Sequence, residues 1–158
     1  MTEMAIALAI HVLAIVLWIG GVAMVTTVLL PAVRKIKAAE ERVAFFEQVE
    51  GRFAWQARVT TVLAGASGFY MVERLHLWSA FVSLSYWWLD AMAFVWAIFT
   101  FMLFVAEPLF LHRWFCEQAR RAPEKTFRLI WRLHWALLLL SLITILGAVA
   151  GNHGLSFR

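Results

Sequence analysis

Residues 4–30, Met-Ala-Ile-Ala-Leu-Ala-Ile-His11-Val-Leu-Ala-Ile-Val-Leu-Trp18-Ile-Gly20-Gly21-Val-Ala-Met-Val-Thr-Thr-Val-Leu-Leu30, contain no Asp, Glu, Lys or Arg. A helix needs about 20 mostly apolar residues to cross the hydrocarbon layer of a bilayer, so this stretch predicts a membrane-spanning helix. It is too long for the apolar region of a signal peptide, and no small-residue cleavage site follows it, so a retained helix is expected. Three more segments read the same way: 57–79, 85–111 and 129–150. The whole chain agrees, with 63% hydrophobic residues against about 45–50% for a soluble domain.

The basic residues orient these four spans. Arg34, Lys35, Lys37, Arg42, Arg52 and Arg58 follow the first. Arg113, Arg120, Arg121, Lys125, Arg128 and Arg132 follow the third. Only Arg74 and Arg158 fall on the other side. Basic residues near span ends stay cytoplasmic, so a bacterial-type inner membrane with both termini periplasmic is expected. The net charge of +4 comes from this asymmetry. With no basic soluble domain to hold a nucleic acid, that class of partner is excluded and the bilayer is the expected surrounding.

The chain reads as one domain, 1–158. Pro31 is expected to end the first helix, and Pro123 to open the last one after a turn. Residues 38–53 mix charge with Val43, Phe45, Phe46, Val49 and Phe53. That suits an amphipathic helix on the inner surface, or a cytoplasmic extension of the second span. Short connections favour antiparallel neighbours, so the expected fold is all-α, an integral-membrane up-down four-helix bundle. Trp55, Trp114, Trp131 and Trp135 fall near the cytoplasmic interface and Trp78, Trp87 and Trp88 near the outer one, as an aromatic belt would. Trp18 and Trp96 lie deeper. The small residues Gly20, Gly21 and Ala23, and Ala64, Gly65, Ala66, Ser67 and Gly68, suit close helix packing or room for a flat cofactor.

An imidazole inside a bilayer is costly and marks a functional-site candidate. His11 lies roughly 10–12 Å below the outer surface at 1.5 Å of rise per residue, with Met71 and Met92 at a similar depth. His76 is shallower, and His153 falls in the headgroup region. His112 and His134 flank the turn near Ala122 and are expected at nearly one level. The histidines thus form an outer group, His11 and His76, and an inner group, His112 and His134. Haem iron takes His/His or His/Met ligands from facing helices, and copper(I) takes thioether and imidazole. Asp90 suits the N-terminus of the third helix. Glu107 is expected to pair with Arg113 or Arg132, and Glu73 and Arg74 to snorkel. Cys116, the single cysteine, has no partner for an internal disulfide and is read as having no special role.

The run His11, Trp18, Gly20-Gly21 and Leu30-Pro31-Ala32-Val33-Arg34 resembles the first helix of the CopD copper-resistance membrane proteins and of the related HemJ-type protoporphyrinogen oxidases. Trp88-Leu89-Asp90-Ala91-Met92 resembles the HemJ pattern Trp-Leu-His-x-Lys, with Asp90 and Met92 where that pattern has histidine and lysine. The resemblance implies a four-helix bundle that binds b-type haem through His11, or one that handles copper. The leading expectation is a haem-b redox protein with one or two haems. His11 would ligate the outer haem opposite His76, Met71 or Met92, His112 and His134 would ligate the inner one, and Trp18 and Trp96 would line the slot. Its electrons would come from a quinol or another membrane donor. The alternatives are a copper-handling protein using His11, Met71 and Met92, and a non-catalytic membrane subunit. A homo-oligomer is left open.

Overall fold

The computed structural model describes residues 2–36, 38–81 and 83–152. His153, Arg158 and Lys37 lie outside them. Among the described residues all regular structure is helical, in four long helices: α1 Thr2–Val33, α2 Ala39–Arg74, α3 Trp87–Arg121 and α4 Pro123–Asn152. Short turns, Leu77–Ala80 and Leu84–Tyr86, join α2 to α3, and Ala122 alone separates α3 from α4. Paired contacts give the up-down order. His11 meets Ala64 while Gly21 meets Phe53, so α1 and α2 run antiparallel. Trp96 meets Thr61 while Arg58 meets Leu103, so α2 and α3 do too.

Three helices, α1, α3 and α4, are long and apolar enough to cross a membrane. The second does not join them. Its apolar stretch between Arg58 and Glu73 is 14 residues, about 21 Å at the helical rise, against a layer of about 30 Å. The helices are inside-out by soluble standards: Leu13, Val16, Val28, Phe94, Leu109 and Leu146 are among many large apolar side chains left exposed. Such a surface is suited to lipid.

Residues 38–53 turn out to be an extension of the second helix, not a separate surface helix. At 36 residues α2 is about 54 Å long, so its charged first half passes beyond any hydrocarbon layer. The last turns of α3, His112–Arg121, do the same beside it. There a second core forms, distinct from the one at mid-bundle. Phe46, Phe115 and Phe127 pack ring on ring at 5.2–5.7 Å between centroids. Arg42, 5% exposed, closes it. Its guanidinium lies over Phe127, donates to the Ile36 carbonyl from Nε and Nη2, and pairs with Glu124 at 2.7 Å.

Pro31 does not end α1. The helix widens into a π-turn at Val25–Leu29 and continues to Val33. Pro108 does the same to α3, where Met102–Leu111 is π-helical. In a π-helix each N–H reaches back five residues, and proline has no N–H. Pro31 therefore leaves the Thr26 carbonyl unbonded, and Pro108 leaves that of Leu103. A neighbouring helix fills each gap: Trp131 Nε1 donates to Thr26 O at 3.2 Å, and Arg58 Nε to Leu103 O at 3.1 Å. A buried carbonyl without a donor is costly, so each proline fixes a point where two helices must meet.

The glycines supply notches for rings. An added Cβ would lie 2.0 Å from the Phe53 ring at Gly21, 2.6 Å from Trp96 at Gly65, and 2.5 Å from Trp87 at Gly147 and from Trp88 at Gly151. Trp87 and Trp88, expected in the outer belt, are thus packing rings aimed at α4. Trp78 and Trp114 remain exposed near the bundle ends, as a belt requires, and Trp55 is exposed midway along α2.

Candidate functional site

His11 belongs to the buried stripe of α1, in step with Ala7, Ala14 and Trp18 at three- and four-residue spacing. That stripe faces the small-residue face of α2. Ala64, Ser67 and Gly68 leave room there for an imidazole: a Cβ on Gly68 would come 3.1 Å from His11 Cε1. His11 Nδ1 lies 2.9 Å from the Ala64 carbonyl and 3.1 Å from Ser67 Oγ. A carbonyl only accepts, so Nδ1 carries the hydrogen. Ser67 donates its own hydroxyl proton to Leu63 O and can share in accepting that of His11. In the neutral ring the lone pair then resides on Nε2. Metal-ligating histidines are typically held this way, with one nitrogen donating to a carbonyl and the other left to coordinate. The same bond also meets part of the cost of placing the ring among apolar side chains.

The remaining candidates take different places. His76 is exposed at positive φ (53°) past the end of α2, about 12 Å along the helix from Gly68, by the helical rise. The outer pair is therefore not brought to one level. Met71 is half-buried one turn from Gly68, and Met92 is half-buried on α3. The inner histidines have different partners. His134 Nδ1 donates to Ile130 O within its own helix at 3.0 Å. His112 is exposed, with Nε2 3.9 Å from Cys116 Sγ.

Trp18 is 4% exposed and packs edge-on to Phe99 at 4.9 Å. Its indole N–H, and that of Trp135 in the same core, are buried without an acceptor among the described residues. Trp96 is satisfied by the Thr61 carbonyl at 2.9 Å. A cleft of about 430 Å³ opens beside Gly21, Met24, Arg52 and Phe53. It is about 15 Å along α1 from His11, counted by rise, and so is separate from it.

Glu107 pairs with Arg58 of α2, not with Arg113 or Arg132 as expected. At the opposite end Arg74 pairs with Glu3, and Glu73 accepts from the Trp78 indole, so neither only snorkels. Near the Arg58–Glu107 pair, Glu50 is half-buried. Burial, and then the neighbouring Glu107 carboxylate, raise its pKa above the usual carboxylate value. A carboxyl raised in the native state binds more protons folded than unfolded between the two pKa values. Its stabilisation is present at low pH and lost as pH rises through the native value. Glu50→Gln is therefore expected to raise the melting temperature of chelator-treated protein at neutral pH. The gain should vanish as pH falls to the usual carboxylate range, where wild type and variant should coincide in a thermal scan.

Sequence reasoning missed Glu47 and Cys116. Glu47, His112 and Cys116 place one ligand atom each within 4.8 Å of one another. The legible signal was the four-residue spacing of His112 and Cys116, which shares one helix face. Glu47 comes from a different helix and carried no such mark.

No family model, curated protein or solved structure matches the chain significantly.

Proposed function

We propose that the protein is a haem-b-binding redox protein of a bacterial-type inner membrane, with both termini periplasmic and His11 as its iron ligand. The observation that carries this reading is the Nδ1 bond of His11 to Ala64, which leaves Nε2 as the coordinating nitrogen. Haem bound there would supply one-electron chemistry. Ala64 and Ser67 hold the imidazole in one tautomer, and Gly68 gives it clearance. The Trp18 and Trp135 indoles offer donors to a polar group in the core, where neither has an acceptor among the described residues. A quinol fits as donor because it reaches the bundle through lipid. His112 lies with Glu47 and Cys116, so the proposal is for one haem, at His11.

The test is the absorption spectrum of purified protein from haem-replete cells, with a pyridine haemochrome count. The expected result is one b-type haem per chain, a Soret band that sharpens on dithionite reduction, and loss of most haem in His11→Ala. Full haem retention in that variant would remove His11 from the site. Colourless protein with stoichiometric copper would transfer the site to a copper reading with His11, Met71 and Met92. Colourless, metal-free protein would leave a non-catalytic subunit.

A further inference from the structure

We infer that Glu47, His112 and Cys116 form a binding site for a divalent transition-metal ion of the zinc class, independent of His11. The three side chains come from two helices that the aromatic core beside them holds in register. Phe46, next to Glu47, packs on Phe115, next to Cys116, at 5.2 Å. Glu47 Oε1 lies 2.8 Å from Cys116 Sγ, and His112 Nε2 lies 3.9 Å from the same sulfur. Zinc bond lengths and tetrahedral angles put ligand atoms about 3.5 Å apart, so modest side-chain rotation converts the triangle into three coordination bonds. Glu47 and Cys116 are half-buried and His112 is exposed, which leaves an ion a path in and a fourth position open to solvent.

The donor set decides the class of ion. One thiolate, one imidazole and one carboxylate suit a borderline divalent ion such as zinc, whereas copper(I) favours sulfur and nitrogen alone. The surrounding charge is mixed, with Arg120 near Cys116 and carboxylates on the α2 side. Glu50 is one turn from Glu47 on the same helix face, and the nearby Arg58 is already engaged by Glu107. In the metal-free site the Cys116 thiol donates to Glu47 Oε1. A cation there replaces that proton: the metal–sulfur bond forms as the thiol proton leaves to solvent.

The test uses the full-length, untagged chain in detergent, reduced and stripped with chelator, and titrated with cobalt(II) alone. The expected result is one cobalt per chain with a thiolate-to-cobalt charge-transfer band in the near ultraviolet, displaced by zinc. Cys116→Ser should abolish the band. His112→Gln and Glu47→Gln should each keep it while weakening cobalt binding at least about tenfold, as metal sites respond to loss of supporting contacts. His11→Ala should leave cobalt binding unchanged, which separates this site from the haem reading. Absence of the band in wild type, its persistence in Cys116→Ser, or unchanged affinity in both glutamine variants would overturn the assignment. The glutamine variants report even where Cys116→Ser folds poorly.

Discussion

Arg58→Leu is expected to lower stability by about 3 kcal/mol, because the guanidinium serves two partners that nothing else on the neighbouring helices replaces. Its Nη2 pairs with Glu107, both side chains being less than a third exposed, and its Nε satisfies the Leu103 carbonyl that Pro108 leaves open. Leucine would abandon a carboxylate and a carbonyl together. For a chain of this size the change corresponds to roughly a 6–12 °C drop in melting temperature, readable in detergent by near-ultraviolet circular dichroism. Glu107→Gln on the Arg58→Leu background should recover part of the loss, since the stranded charge is the larger component. A single-variant drop indistinguishable from zero would show that the ion pair and the carbonyl contact contribute nothing net.

Gly65→Leu is expected to be comparably damaging for a different reason. A Cβ alone at that position would meet the Trp96 indole at 2.6 Å, and leucine adds three more heavy atoms. The ring must leave its notch and with it the bond from Nε1 to Thr61 O. Overpacking of this kind costs typically 1–3 kcal/mol, and the lost hydrogen bond adds about 1 kcal/mol. Trp96→Ala on the Gly65→Leu background should relieve the clash. The double variant should therefore be more stable than the sum of the two single losses, as expected for side chains in direct contact. Strict additivity in a thermal-melt cycle would show that the ring does not occupy the notch.

What the sequence made legible was what depends on one segment at a time. The uncharged runs marked the apolar helices. Contacts between segments were not legible. Pro31 reads as a helix stop because the compensating donor, Trp131, lies 105 residues from the Thr26 carbonyl it serves. Glu107 was offered two arginines near it in sequence or across the hairpin, yet its partner Arg58 sits on the preceding helix. Trp87 and Trp88 suited a belt by depth alone, and only Gly147 and Gly151 across the interface reveal their packing role. Within the site, His11 was visible by its cost in hydrocarbon. The Ala64 carbonyl that orients it is backbone and carries no signature in the side-chain pattern.

The pairing of rings with glycines bears on how such a chain can change over generations. Each ring and the gap opposite it share one fixed volume between two helices, so neither residue is free to drift alone. A substitution that fills a gap is survivable only after the facing ring has shrunk, or where a second change enlarges the space. Tolerated replacements at Gly21 and Phe53, Gly65 and Trp96, or Gly147 and Trp87 should therefore arrive as matched couples of opposite size. Random libraries that vary both members of a couple together should yield far more folded variants than libraries that vary either one separately.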